Sequence, residues 1–433
     1  MDPAHRGDGT PLVASDISNL AAMAWRNLWR NRRRSLITLS SIALGTMFAV
    51  IMTGIQDGQW RDMIDMAARL GGGHITLQHD EYLDTPTLSR SIQQVDLLAE
   101  RIHQDPALRN QVEQVVERVT GFLMLSSPGQ SYGAGFIAFD PARESAETLS
   151  ILEAVKEGEL LAAKDERRIL MGSQLAANLN ARVGSKVVFT LTDKNAEIIS
   201  ETVRLKGILH TGAPTIDGSL VLLPLELLRG SVGYKADEAT QLGLFLSDQR
   251  DAGAVAARVG PHLPQGVVAI PWFDSQADLA GFIMMKVVGA YFFEAVIALL
   301  IAAGIFNTIF VSVMERLREF GILLAIGFSP GRLFSLVMLE SLWLGIVGLL
   351  LATLVTAFPY YYLANTGIDV SAAIGEGNAE VAGVAIAPIL RASIYPEKLL
   401  FIGLAVLVAT LLSGLYPAWK AGRIEPVETI RIV

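Results

Sequence analysis

Four apolar stretches punctuate the chain, at residues 36–56, 287–314, 333–363 and 399–419. Each approaches or exceeds the roughly 20 residues that a helix needs to cross a hydrocarbon core of about 30 Å. One such run fits inside a soluble helical core, but four of this length require lipid. The pattern predicts an α-helical membrane protein with four transmembrane helices in a 1 + 3 layout. The first stretch, LITLSSIALGTMFAVIMTGI, is longer than the apolar region of a secretory signal and has no small-residue cleavage site after it, so it reads as a retained anchor.

The insertion at 57–286 has a different rhythm. GGHITLQ (72–78), KVVFTLTD (186–193), VRLKGILH (203–210) and LGLFLSD (242–248) alternate as strands do. Helical periodicity appears around 95–104, 145–157 and 172–181. Interleaved elements of this kind predict a large α/β (α+β) domain of two lobes. The glycine run Gly71-Gly72-Gly73 reads as a flexible exit from the first span. Ahead of that span, residues 20–34 place Leu20, Met23, Ala24 and Leu28 at helical spacing against a cationic face. Such a helix suits the headgroup layer, or it simply stops translocation.

Charge orients this framework. Arg26, Arg30, Arg32, Arg33 and Arg34 precede the first span, Arg316, Arg318 and Arg332 lie in the 315–332 loop, and Lys420, Arg423 and Arg431 follow the last span. Asp57, Asp62, Asp369, Glu376 and Glu380 mark the opposite side. The positive-inside rule then makes 1–35, 315–332 and 420–433 cytoplasmic, and 57–286 and 364–398 extracytoplasmic. The insertion holds 30 acidic and 21 basic residues within a chain of net charge −8, the wrong sign for a nucleic-acid partner. The absence of cysteine excludes a disulfide scaffold and a thiolate nucleophile.

Little in the sequence carries chemistry. No phosphate-binding loop, H-E-x-x-H motif or nucleophile elbow is present, so neither a catalytic residue nor a cofactor or metal site is expected. His74, His79 and Asp80 sit on a strand at odd spacing, which puts the two imidazoles on opposite faces. Glu294 and Glu340 are carboxylates inside apolar spans, where acids are costly and face a cavity or a partner. Glu340 suits a structural hydrogen bond at the cytoplasmic end of the bundle. Glu294 suits either a structural or a cavity-lining place.

Two segments then resemble a known family. MERLREFGILLAIG (314–327) is similar to the coupling segment of FtsX/MacB-type ABC transporter permeases, and YPAWKAGRIEPVETIR (416–431) to that family's ending. ILMGSQLAANLNARVGSKV (169–187) resembles an element of its outer domain, and GHITLQHDEYLD (73–84) resembles the lipoprotein-releasing LolC/LolE branch. The resemblance implies a non-catalytic subunit of the inner membrane, with ATP bound by a separate cytoplasmic ATPase dimer. It implies that Glu315, Arg316, Leu317, Arg318, Glu319, Phe320, Gly321, Ala325 and Gly327 couple to that ATPase. A second permease copy or paralogue would complete the transporter, with lipoprotein cargo entering between the first span of one half and the second of the other. Gly45, Gly54, Phe292 and Phe293 are candidates for that seam. The rival expectations are a force-transmitting permease acting on a periplasmic adaptor or other partner, and a non-transporting membrane receptor or scaffold.

Overall fold

A computed structural model describes residues 14–423 except 375–379, 382–383 and 386–388. The chain divides into two compact units, one of residues 1–58, 287–368 and 390–433, the other of residues 59–286 and 369–389.

The first unit is helical. Among the described residues, four helices are long and apolar enough to cross a membrane: Arg32–Leu70, Ala277–Glu315, Pro330–Asn365 and Pro396–Gly422. They are called the first to fourth spans below. The third and fourth begin with proline at the first helical position, where a missing N–H costs nothing. Glycines set how closely the spans approach. A Cβ on Gly45 would fall 2.7 Å from Ile301, one on Gly348 2.7 Å from Ile42, and one on Gly345 2.9 Å from Leu407. Small residues at such crossings replace the hydrophobic drive that is missing in lipid.

The amphipathic helix ahead of the first span runs over Ala14–Arg30, and Arg32, Arg33 and Arg34 already belong to the span itself. Its apolar stripe is covered by protein rather than by headgroups. Leu20 and Ala24 join one buried cluster with Phe320, Leu333, Leu336 and Val337. Trp343 on the third span donates its indole N–H to Ala21 O at 3.2 Å. Trp25 and Trp29 stay partly exposed, as amphipathic rings do at a membrane surface.

The second unit is built on one mixed sheet. Its strands are β1 (Ile75–His79), β2 (Val112–Ser127), β3 (Gln130–Phe139), β4 (Val155–Gly158) and β5 (Arg168–Gly172), followed by β6 (Lys186–Thr192), β7 (Ile198–Leu209), β8 (Leu220–Pro224), β9 (Gln241–Leu246) and β10 (Val267–Pro271). The order is β10-β1-β9-β2-β3-β8-β5-β7-β4, with β6 joining β2 to β7. Pairing is parallel for β3–β8 and β5–β7 and antiparallel elsewhere. The two lobes meet along β2, which pairs with β9 as far as Arg118 and with β3 and β6 from Val119 onward. Ile137, Phe139, Leu149, Leu170, Leu209 and Leu222 fill a core on one side.

Two expectations are corrected here. Residues 145–157 form no α-helix; a single 3-10 turn at Ser150–Ala154 leads straight into β4, whose backbone the edge of β7 takes up. The glycine run is not a loose exit either. Gly71 N–H bonds Ala67 O at 2.9 Å and Gly73 N–H bonds Ala68 O at 3.0 Å, which closes the helix end. Gly73 does so at φ +84°, a conformation that costs glycine little.

One ion pair is fully enclosed. Arg118 and Glu144 each show 1% of their side chains and meet at 2.6 Å. The guanidinium also donates to Thr148 O at 2.7 Å and to Gly71 O, so every face of this buried charge is answered.

Candidate functional site

The polar chemistry of the helical unit gathers where the second span ends. Arg316 breaks the helix there (φ −100°), and a short coupling helix follows over Leu317–Ala325. This break divides the 315–327 motif into an inward and an outward set. Phe320 and Gly321 are buried, with Phe320 wholly enclosed. Arg316 lies over the Phe320 ring at 5.0 Å and reaches inward. Arg318, Ile322, Ala325 and Ile326 are exposed. Their spacing of three and four residues places them on one stripe. Arg318 makes no ion pair among the described residues, whereas both neighbouring acids are engaged.

The inward side is tied down by charge. Glu315 receives both guanidinium nitrogens of Arg34, one at 2.6 Å, and Glu319 pairs with Arg30. Arg316 holds Glu340 of the third span at 2.9 and 3.0 Å, and Asn27 of the amphipathic helix donates to the same carboxylate at 2.7 Å. A cavity of about 350 Å³ lies among these groups. Three arginines and three glutamates from five helices thus balance around it, and Glu340 serves the fold as the anchor for Arg316. In the sequence, Arg30 and Arg34 read only as orientation charges and Asn27 carried no signal, because their partners lie some 300 positions away.

Hydrogen bonding from Arg30 keeps the Glu319 carboxyl below the usual range. A depressed carboxyl contributes stability above its unfolded pKa and loses it as pH falls through the folded value. Both side chains are about half exposed, 56% and 46%, so screening limits the pair to about 0.5 kcal/mol. The melting-temperature difference between the wild type and Arg30→Ala is expected to be constant near neutral pH and to shrink as pH falls below the ordinary glutamate value of about 4.3.

The coupling helix ends on Gly327 at φ +98°. Gly327 N–H bonds Leu324 O at 3.1 Å and Phe328 N–H bonds Leu323 O at 3.0 Å. Ser329 then caps the third span by accepting from Arg332 N–H at 3.3 Å. No atom lies within 4 Å of a Cβ built on Gly327, so backbone strain alone decides a substitution there. Gly327→Ala is expected to cost about 1 kcal/mol in chemical denaturation.

The remaining candidates are scattered. Glu294 accepts from Thr53 of the first span at 3.1 Å. Phe292 and Phe293 are exposed on the second span, together with Met284, Val288, Tyr291 and Leu299. Gly45 and Gly54 both approach other parts of the same chain. Gly45 faces Ile301 of the same chain, and Gly54 faces Tyr360 (3.1 Å from a built Cβ) and Ala392. The reason is a strap just before the fourth span. Ser393 N–H bonds Gly54 O at 2.8 Å, Ile394 N–H bonds the Tyr360 hydroxyl at 2.8 Å, and Ala392 N–H bonds Leu363 O at 3.2 Å. Gly58 lies one turn on, where a Cβ would strike Arg391 O at 2.1 Å, and buried Asp57 pairs with Lys398.

His74 and His79 part company as their spacing suggests. His74 is buried; its Nδ1 accepts from Leu246 N–H at 2.9 Å and its Nε2 meets Asp65 at 2.9 Å, which fixes the Nε2–H tautomer. His79 touches Asp80 at the surface. Ser173, His210 and Asp217 lie near one another, but the serine hydroxyl (3.1 Å) and the carboxylate (3.8 Å) address the same ring nitrogen, so no proton relay forms. Asp217 is spent on Thr211 and Gly212.

Family comparison places this geometry. The profile of the FtsX-like permease C-terminal family matches residues 291–426, which contain the coupling helix and its arginine. The profile of the MacB-like periplasmic core domain matches residues 35–261, more than half of the chain. The chain belongs to the FtsX/MacB permease family. Permeases of this family are the membrane subunits of ABC transporters and act with ATPase subunits. Among curated relatives, this permease is 25% identical over 307 residues to the lipoprotein-releasing system transmembrane protein LolC of Xylella fastidiosa, covering 65% of this chain and 69% of the relative. It is 19% identical over 420 residues to the lipoprotein-releasing system transmembrane protein LolE of Haemophilus influenzae, covering 94% and 98%. Its sheet unit also aligns with the solved periplasmic region of MacB from Actinobacillus actinomycetemcomitans at 13% identity and a TM-score of 0.33, over 46% of this chain and 90% of that one.

Proposed function

We propose that this permease is the membrane half of a lipoprotein-releasing ABC system of the inner membrane. In this reading both termini and the coupling helix are cytoplasmic, and the sheet unit is periplasmic. A dimeric ATPase subunit, which binds the ATP, docks on the outward stripe of the coupling helix. A second copy or paralogue of the chain packs against the exposed side of the second span around Phe292 and Phe293. Hydrolysis drives motion of the periplasmic unit and lifts a lipid-anchored protein from the outer leaflet.

The observation that carries this reading is the division of the coupling helix. Arg318, Ile322, Ala325 and Ile326 are left exposed, while Glu315, Arg316 and Glu319 are bound to three other helices. A free amphipathic stripe on a braced helix is what a separate protein needs in order to push on the bundle. The arginines at that end support the orientation. The similarity to LolC and LolE supports the choice of cargo.

The test is extraction of the tagged permease from native membranes in mild detergent, with mass spectrometry of what is retained. A separate ATPase together with acylated proteins is the expected result. An ATPase accompanied by a soluble periplasmic adaptor or hydrolase, with no acylated protein, would replace lipoprotein release with force transmission. Recovery of no ATPase would overturn the transporter reading.

A further inference from the structure

A second cavity lies wholly within one copy of the chain, between the first, third and fourth spans. It measures about 330 Å³ and is lined by Thr46 and Val50 of the first span, Thr353 and Tyr360 of the third, and Ile402 and Gly403 of the fourth, among others. Ile394 of the strap also lines it. On the third span, its lining residues sit 5–16 positions before the helix ends at Asn365, or about 8–24 Å below that end at 1.5 Å per residue. Those depths lie within a hydrocarbon core of about 30 Å.

We propose that this cavity holds one acyl chain of a bilayer phospholipid. Its wall is mostly carbon. The Thr353 hydroxyl is turned onto Leu349 O at 3.0 Å, and the Tyr360 hydroxyl is taken by Ile394 N–H. Thr46 and Thr356 are 6% and 7% exposed, and their hydroxyls have no hydrogen-bond partner among the described residues. A water needs two to four polar partners, so two hydroxyls serve about one water and leave most of the volume apolar. A void of this size left empty forfeits the contacts of its whole lining. The mouth decides the occupant. Thr353, Ala357 and Leu399 are exposed there, inside the hydrocarbon layer, and nothing within 4 Å shields a Cβ position on Gly403. Phospholipid tails are the molecules always present at that mouth. A tail seated there fills the space between the first span and the third and fourth, directly beneath the strap. The inference needs neither the ATPase nor the cargo of the proposed function and stands apart from both.

The experiment uses the full-length permease in nanodiscs made with a phospholipid that carries a diazirine in one acyl tail. After irradiation, labelled residues are mapped by mass spectrometry. Labelling at Thr353, Ala357 and Gly403 is expected to exceed that at Phe292, Phe293 and Leu299 several-fold, although the latter are also exposed. Gly403→Phe, which fills the cavity, should remove the excess and leave the second span labelled as before. If Gly403→Phe does not fold, Ala357→Trp at the mouth gives the same reading. Labelling that merely follows exposure, or that survives the filling variants, would overturn the proposal. A diacylated lipopeptide with a diazirine tail forms the second arm. Labelling by the lipopeptide with none by the phospholipid would give the cavity to cargo and also overturn it.

Discussion

Arg318→Glu is expected to strip the ATPase subunit from the permease while leaving the permease folded. The side chain is exposed, has no ion-pair partner among the described residues, and heads the stripe that continues through Ile322 and Ile326. An arginine at the centre of a docking surface contributes about 2 kcal/mol or more, and reversing its sign adds repulsion. A loss of at least about thirtyfold in affinity follows. Ile322→Asp, on the same stripe, should behave alike. Both are measured by co-purification of the co-expressed ATPase, with melting temperature as the control for folding. Glu319→Arg provides the contrast. Glu319 holds Arg30 of the amphipathic helix, so that change should disturb that helix as well as docking. Normal ATPase binding by both Arg318→Glu and Ile322→Asp would exclude the coupling helix as the docking element.

The second large effect lies in the sheet unit. Arg118→Leu should destabilise it by about 3–5 kcal/mol, because the Glu144 carboxylate would remain enclosed without its counter-ion. The carbonyls of Gly71 and Thr148 lose their donor in the same step. The double variant Arg118→Leu with Glu144→Leu removes both charges and should recover much of the loss. Denaturant unfolding of the four proteins forms a double-mutant cycle. A single variant within about 1 kcal/mol of the wild type would mean that water reaches Glu144.

Arg118 also shows why the sheet was only partly legible in the sequence. The alternation at 72–78, 186–193, 203–210 and 242–248 falls on Ile75–His79, Lys186–Thr192, the later part of Ile198–Leu209 and Gln241–Leu246. The long β2 could not be read in this way, because its code is inverted in its middle and again further on. Arg118 points inward at 1% exposure, while Phe122 and Met124 point outward at 71% and 51%. Periodicity treats such a strand as noise. The spans were legible because lipid enforces one rule along their whole length. At the coupling helix, the motif marked the region but not its two sides, which depend on Arg30, Arg34, Asn27 and Glu340 arriving from other helices. Gly45 and Gly54 carry a related ambiguity. A glycine in a span reports that something comes close, and the sequence does not say whether that is another chain or, as here, Ile301 and the strap.

The junction between the coupling helix and the third span has a mechanical consequence. Only Gly327, Phe328 and Ser329 separate Ile326 from the span; the Gly327 and Phe328 amides bond back into the coupling helix, and the Ser329 hydroxyl caps the span at Arg332 N–H. A turn so short and so held has little compliance. Displacement of the coupling helix therefore cannot be absorbed locally as slack; it reaches the third span as tilt, with Arg316 and Glu340 acting as the cross-brace that keeps the two from splaying.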